Sequence, residues 1–183
     1  PFATPDAQLG IVRFSPCGTV LAAAAFDGTV RRWDVTGDAP AELPPLGGMN
    51  GWVSGLAFHP DKRRLYAVDS WGALACWDYT AKEPTRLWDV AAHDGWARKV
   101  AVSPDGGTVA TVGRDGFARL WPAAGTAKRL EINAGDDLVA VAFHPSGALL
   151  TGDLHGRVRQ WDAAGTLART FDAKEMYAQH RMQ

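Results

Sequence analysis

Four tryptophans recur along the chain at a nearly constant spacing, and this repeat constrains the fold more than any other feature. They are separated by steps of 44, 44 and 40 residues: Trp33, Trp77, Trp121 and Trp161. Four prolines recur in phase with them, at steps of 44, 44 and 41 residues: Pro16, Pro60, Pro104 and Pro145. Two markers that move together indicate an array of similar structural units.

Each unit alternates between short apolar runs and turn residues. First strands, each followed by the proline turn, are predicted at Ile11 to Phe14, Val53 to Phe58, Lys99 to Val102 and Val139 to Phe143. Third strands, each preceded by a turn glycine, are predicted at Thr29 to Trp33, Ala73 to Trp77, Phe117 to Trp121 and Arg157 to Trp161. With a second strand between the turns and a fourth after the Trp, each unit becomes a four-stranded antiparallel sheet. Such a sheet cannot bury both faces alone, so we predict an all-β propeller with the first strands inside.

Two sequence patterns resemble those of a known family, the WD repeats. They are the turn Ser103-Pro104-Asp105-Gly106, with its counterparts, and the segment from Asp27-Gly28 to Trp33-Asp34. Trp-Asp also closes the second and fourth units, at Trp77-Asp78 and Trp161-Asp162, whereas the third has Trp121-Pro122. Trp88-Asp89 follows Trp77 by only 11 residues, so we assign it to a fourth strand. We therefore divide a single partial domain, residues 1–183, into blade 1 at about 8–47, blade 2 at about 48–91, blade 3 at about 92–133, blade 4 at about 134–171 and a tail or insertion at 172–183.

The resemblance implies a buried chain of hydrogen bonds among His, Ser or Thr, Asp and Trp within a blade. The third unit matches this pattern with four residues: His93, Thr111, Asp115 and Trp121. The second and fourth units carry Trp71 and His155 where the turn Asp would stand. We expect the third blade to be the best defined, and the polar locks of the second and fourth to be incomplete.

The number of repeats bears on ring closure. WD-type propellers mostly have about seven blades, so we expect the four units to form an open arc of a larger ring. The first residues, Pro1-Phe2-Ala3-Thr4-Pro5, make a poor closing strand, and residues 172–183 contain helix formers that would suit an insertion before further blades. Because the chain starts with Pro, we expect its true N-terminus and any targeting signal to be missing. This leaves the compartment open, with the cytoplasm slightly favoured.

Composition and motifs argue against several classes of function. A formal net charge of −1 offers no field for nucleic acid or an anionic membrane, and no apolar run is long enough for membrane insertion. Cys17 and Cys76 lie outside any metal, haem or disulfide spacing, so we expect free thiols. His59 and His144 hold the repeat position before proline, which favours a turn role over a metal site. With no nucleotide-binding or catalytic motif, we expect no cofactor, no metal and no enzyme.

Aromatic residues that depart from the repeat predict a binding surface. Trp71 replaces the turn Asp, while Trp52 and Trp96 stand just before first strands. Arg114 lies beside the turn Asp of the third unit, and the resemblance places all four residues on one face. Since Trp and Arg are enriched in interface hot spots, we predict that Trp52, Trp71, Trp96 and Arg114 bind a protein or peptide. Trp52 and Trp96 occupy matching repeat positions, so a packing role stays open for both.

The leading functional hypothesis is a non-catalytic scaffold for protein–protein contacts, completed by further blades of the same chain. The first alternative is an accessory or sensory propeller in a longer bacterial protein, since abundant alanine and an excess of arginine over lysine are typical of GC-rich bacterial genomes. The second alternative is a propeller enzyme or ligand-binding domain whose site is assembled across the channel by blades outside this sequence.

Overall fold

A computed structural model describes residues 7–171, which form sixteen strands in four separate sheets. Blade 1 contains β1 (Leu9–Phe14), β2 (Val20–Ala25), β3 (Val30–Asp34) and β4 (Ala41–Leu46), and blade 2 contains β5 (Val53–Phe58), β6 (Arg64–Asp69), β7 (Ala73–Asp78) and β8 (Thr85–Ala91). Blade 3 contains β9 (Ala97–Val102), β10 (Thr108–Gly113), β11 (Phe117–Pro122) and β12 (Leu130–Asn133), and blade 4 contains β13 (Leu138–Phe143), β14 (Leu149–Asp153), β15 (Val158–Trp161) and β16 (Leu167–Phe171). The expectations for residues 1–5 and 172–183 lie outside the described residues.

Each sheet is antiparallel, and its strands pair in chain order. The prediction of four all-β blades with four strands each is therefore confirmed. Trp88-Asp89 lies in β8, the fourth strand of blade 2, where the repeat spacing assigned it. Over residues 7–171 no helix is long and apolar enough to cross a membrane.

The sheets bury their faces by packing against one another. Three core clusters lie between successive blades, and each contains the repeat Trp of the later blade: Trp77, Trp121 and Trp161. Each of these rings therefore faces the preceding blade. The first strands β1, β5, β9 and β13 contact one another in sequence and are the innermost strands. In the described part of the chain no core cluster joins blade 1 to blade 4, so the four blades form an open arc.

The turn between the first and second strands has the same backbone in every blade. Its fourth residue has a positive φ of 72°, 72° and 87° at Gly18, Gly106 and Gly147. Blade 2 carries Lys62 at this position, and its φ is 63°. The repeat thus places Lys62 in a left-handed backbone conformation, which residues other than glycine rarely adopt.

A continuous chain of hydrogen bonds ties the strands of blade 3 together. Trp121 Nε1 donates to Thr111 Oγ1 at 3.0 Å, and Thr111 Oγ1 lies 2.9 Å from His93 Nε2. His93 Nδ1 lies 2.9 Å from Asp115 Oδ1 and 2.8 Å from Arg119 Nη1. Burial lowers the pKa of His93 and so keeps the ring neutral. Burial would raise the pKa of Asp115, but hydrogen bonds from Arg119 and His93 lower it below its ordinary value.

Blades 2 and 4 hold their turns with a different carboxylate. Asp69 and Asp153 end the second strands, two residues before Trp71 and His155. Asp153 accepts the backbone N–H groups of His155 and Arg157 at 2.9 and 3.0 Å. In the two blades that lack a turn Asp, an Asp at the end of the preceding strand thus holds the turn, and blade 4 keeps only the Trp161–Thr151 part of the chain.

The third-strand arginines have one shared partner type, which explains their recurrence. Arg31 lies 3.0 Å from the turn residue Asp27, and Arg119 lies 2.6 Å from the turn residue Asp115. Arg159 lies 3.4 Å from Asp153, at the end of β14. These arginines neutralise turn carboxylates.

Two threonine-to-valine variants test how much the buried hydrogen bonds contribute. Thr111→Val leaves both Trp121 Nε1 and His93 Nε2 without a partner, so we expect the free energy of unfolding to fall by about 2–4 kcal/mol. In blade 4, Thr151 Oγ1 accepts from Trp161 Nε1 at 2.9 Å. Thr151→Val orphans only this donor and should cost about 1–2 kcal/mol. Urea unfolding followed by tryptophan fluorescence measures both; equal losses would contradict the assigned chain.

Candidate functional site

Two sets of loops meet at one end of the strands. The turns between second and third strands lie against the connections that lead to the next blade. A Cβ at Gly28 would lie 2.6 Å from Met49 O, and Gly72 lies in the same way against His93 and Gly95. Both glycines also have positive φ, 83° and 91°. Glycine is therefore required at these positions both for the close approach of the backbone and for the left-handed conformation. We call this end of the arc the loop face.

Four aromatic side chains lie together on the loop face: Phe26, Trp52, Trp71 and Trp96. The rings of Phe26 and Trp52 are stacked, with centroids 5.3 Å apart and planes 13° apart. Trp96 meets Trp52 edge-on, with centroids 6.3 Å apart. Trp71 is 72% exposed and Trp52 is 51% exposed, whereas Trp96 is half-buried. We call these four residues the aromatic surface.

The carboxylate of Asp69 positions the two exposed tryptophans. It is fully buried and accepts three backbone N–H groups, those of Gly51 at 3.1 Å, Trp71 at 3.0 Å and Ala73 at 2.9 Å. The Trp52 N–H donates to Ser70 Oγ at 3.0 Å. Because these bonds join the loop before β5 to the turn after β6, they hold Trp52 and Trp71 in a fixed relation.

The aromatic surface separates two shallow cavities. One, of about 420 Å³, is lined by all four rings together with Asn50 and Ser70. The other, of about 440 Å³, lies beneath Phe26, Trp52 and Trp96 and extends to Ile11, Val53 and Arg98. A large apolar side chain could therefore be enclosed on either side of the Phe26–Trp52 stack.

Trp96 is held by a cation on one side. The Arg98 guanidinium lies 4.4 Å from the centre of the Trp96 ring and is 2.7 Å from the Asp137 carboxylate. The Arg98 charge is thus neutralised within the protein while its planar face covers the indole. Trp96 Nε1 is buried and has no hydrogen-bond partner in the described residues.

The structure brings together three of the four residues that the sequence singled out. Trp52, Trp71 and Trp96 line one cavity, but Arg114 lines neither. The Arg114 side chain is exposed, and its backbone N–H donates to Trp96 O at 2.9 Å. Phe26, which sequence reasoning missed, holds the turn position in blade 1 that Arg114 holds in blade 3. Comparing the turns position by position would have revealed it.

The histidines of the proline turns make hydrogen bonds within and between blades. His59 Nε2 donates to the Gly106 carbonyl of blade 3 at 2.7 Å, while its Nδ1 accepts the Asp61 N–H at 3.0 Å. His144 Nδ1 lies 2.7 Å from Ser146 Oγ. Among residues 7–171 there is no group of three or more His, Cys, Asp or Glu side chains arranged to hold a metal ion.

Comparison with solved structures bears out the fold. The chain aligns with a chain of a crystal structure entitled mitotic checkpoint complex, with a TM-score of 0.84 and 22% identity, over 94% of this chain and 55% of that one. It also aligns with the computationally designed Ika8 protein, with a TM-score of 0.76 and 20% identity, over 90% of this chain and 49% of the designed one. The chain therefore spans about half the length of these structures. No curated protein matches it in sequence.

A sequence model of one family, described as WD domain, G-beta repeat, matches residues 8–34, 84–122 and 129–162. The three segments end at the third strands of blades 1, 3 and 4, and the later two begin just before the fourth strand of the preceding blade. Together they cover more than half of the chain. The protein therefore belongs to the WD40 family of β-propellers, whose members are typically protein-interaction scaffolds without enzymatic activity.

Proposed function

We propose that this protein is a non-catalytic scaffold whose aromatic surface binds a segment of another protein. The observation that carries the proposal is the exposure of Trp71 and Trp52 on loops that Asp69 holds in place. Burying such rings removes much apolar surface from water, and the cost in backbone entropy is low because hydrogen bonds to Asp69 and Ser70 already hold the loops. Clustered Trp residues of this kind are the common anchors of protein interfaces.

The surroundings of the aromatic surface favour a protein over a nucleic acid. Bases also stack on exposed aromatic rings, but a bound strand needs cations for its phosphates. The nearest guanidinium, that of Arg98, is already paired with Asp137, and the Lys99 ammonium group donates to the Ser54 carbonyl. A segment with a large apolar anchor residue fits these aromatic-lined cavities better.

The same surroundings support a role without catalysis. Three carboxylates near the rings are occupied: Asp69 by three backbone N–H groups, Asp27 by Thr29 and Arg31, and Asp137 by Arg98. General acid–base chemistry needs a group that is free to exchange a proton with a bound substrate. The aromatic surface offers enclosure and stacking instead.

Capture from an extract of cells that express the protein tests the proposed surface. We expect Trp71→Ala to weaken binding of the specific partner by about 30-fold, the effect of losing one hot-spot residue worth about 2 kcal/mol. Leu87→Ala removes another exposed apolar side chain, on the outer strand β8, and should leave capture unchanged. Proteins bound by wild type and by each variant are quantified by mass spectrometry after the fold is checked by circular dichroism. A partner lost with Leu87→Ala and kept with Trp71→Ala would contradict the proposal.

We also propose that further blades of the same chain cover the two ends of the arc. Val12 on blade 1 is 55% exposed, whereas its repeat counterpart Leu56, between blades 1 and 2, is 3% exposed. At the other end Ala140, Ala142 and Val158 of blade 4 are exposed. These end faces present apolar side chains where the inner blades bury them.

Solution behaviour of the 183-residue chain tests the second proposal. We expect the isolated chain to self-associate through its uncovered end faces, and Phe14→Glu, on the exposed face of β1, to weaken association at least about tenfold. Leu87→Glu is the control for an exposed apolar residue outside these faces. Analytical ultracentrifugation over a concentration series measures the association of the wild type and of both variants. A wild-type chain that is a monomer at every concentration and melts cooperatively would contradict the proposal that the end faces are uncovered.

A further inference from the structure

The innermost strands of the four blades carry positive charge and no negative charge. They read LGIVRF in β1, VSGLAF in β5, ARKVAV in β9 and LVAVAF in β13. Three basic residues and no acidic residue occur among them: Arg13, Arg98 and Lys99. The whole chain, by contrast, has 19 Lys and Arg against 20 Asp and Glu. The inner side of the arc is therefore enriched in cations.

The repeat does not require two of these cations. Arg13 holds a pairing position that is alanine in the other three blades: Ala57, Ala101 and Ala142. Lys99 holds a pairing position that is uncharged in the other three blades: Ile11, Gly55 and Ala140. Since three blades stack without a charge at either position, stacking does not explain the arginine or the lysine.

Arg13 and Lys99 also lack an internal counter-ion. Arg98 lies 2.7 Å from the Asp137 carboxylate, so its charge is balanced. Within residues 7–171 the hydrogen bonds of the other two cations go to backbone carbonyls, at 2.9 Å for Arg13 and 3.1 Å for Lys99. A carbonyl accepts a single N–H group of an ammonium and leaves its charge unbalanced. Burial, and then the positive charges of Arg13 and Arg98, lower the pKa of Lys99, so a neighbouring anion would stabilise its charged form.

Lys99 lines the cavity of about 440 Å³ that adjoins the aromatic surface. The lining includes a residue from the first strand of every blade: Ile11, Val53, Lys99 and Val139. Three rings of the aromatic surface form another part of the wall: Phe26, Trp52 and Trp96. Its charged residues are Arg98, which is paired, and Lys99, which is not. A ligand in this cavity therefore meets mainly apolar walls and one unbalanced ammonium group.

The two cavities beside the Phe26–Trp52 stack differ in charge. The cavity of about 420 Å³ contains no basic residue, and its charged residue, Asp27, is paired with Arg31. It suits an uncharged, apolar side chain, whereas the cavity beside Lys99 suits a carboxylate on a short methylene stem. Because both cavities are lined by Phe26, Trp52 and Trp96, nearby residues of one extended segment can occupy them.

The number of free cations favours a carboxylate over a nucleic acid. A nucleic-acid strand presents a phosphate at every nucleotide and is held by a row of cations along its path. The first strands offer only Arg13 and Lys99 as cations without an ion pair in residues 7–171, and their walls are otherwise apolar. A single acidic side chain matches this charge.

We infer that the cavity beside Lys99 binds an acidic side chain, aspartate or glutamate, of the protein segment whose large apolar residue is held by the aromatic surface. The inference rests on the proposed function, because it names the chemistry of that same partner. The Lys99 ammonium group donates to the carboxylate, and the methylene stem of the acidic residue packs against the rings. Arg13 adds a second positive charge on the inner side of the arc, which attracts the segment at longer range.

Binding of capped peptides to the immobilised 183-residue chain tests the inference. The probe is a library of random octapeptides, acetylated and amidated at their ends so that every carboxylate belongs to a side chain. We expect selection of a large apolar residue together with a nearby Asp or Glu. In the best binder, replacing the acidic residue by its amide should weaken binding to the wild type by about tenfold.

Variants of Lys99 assign this preference to the cavity. Lys99→Gln keeps a donor for the Ser54 carbonyl but removes the charge, so it should bind the acidic peptide and its amide analogue equally, with unchanged affinity for the amide. Lys99→Arg should restore the preference. Lys82→Gln removes an exposed cation from the turn between β7 and β8 and should change neither affinity. Circular dichroism checks the fold of each variant.

The outcomes separate this inference from the proposed function. Selection of apolar residues without Asp or Glu, or an acidic preference that survives Lys99→Gln, would overturn the inference alone. Tighter binding of a single-stranded oligonucleotide, or of a peptide whose only carboxylate is its C-terminus, would also overturn it. A library in which no residue is selected, or a selection unaffected by Trp71→Ala, would contradict the proposed function and the inference with it.

Discussion

The structure depends on the burial of sheet faces between neighbouring blades. A four-stranded sheet of this size has too little surface to be stable alone, so each blade must pack against a neighbour. The repeat Trp performs this function at the three inner seams, where Trp77, Trp121 and Trp161 each pack against the preceding blade. Stacking holds successive blades side by side. Their loops therefore lie at one end of the arc, where the loops of neighbouring blades contact each other.

Stacking alone would not fix the loops of the loop face. In blade 2 that role belongs to Asp69, a buried carboxylate that bonds to the turn after its own strand and to the connection from blade 1. Trp71 can then stand out from the turn without loosening it. At the opposite end of the strands, the first turn of blade 1 holds Cys17 where blades 2 and 3 hold Asp61 and Asp105. One repeat thus supports two different surfaces because its turns tolerate substitution once their backbone donors are satisfied.

Much of the fold was predictable because the repeat is a local pattern. The spacing of Trp33 and its counterparts predicted the number of blades and strands, and the spacing after Trp77 placed Trp88-Asp89 in a fourth strand. The site was predictable only in part. Trp52, Trp71 and Trp96 depart visibly from a polar loop, whereas Phe26 joins them through a stack formed between blades. Asp69 and Arg98 escaped notice because their roles depend on partners 18 and 39 residues away, which single-sequence spacing does not reveal.

The central claim is that the loop face is a pre-formed surface rather than a set of loose loops. Amide hydrogen exchange measured residue by residue by NMR tests it most directly, because the N–H groups of Gly51, Trp52 and Trp71 are each bonded to a side chain of blade 2. The account predicts that these three amides exchange at rates close to those of strand β6 and far more slowly than residues 81–83 in the exposed turn between β7 and β8. Exchange as fast as that of residues 81–83 would contradict a pre-formed surface.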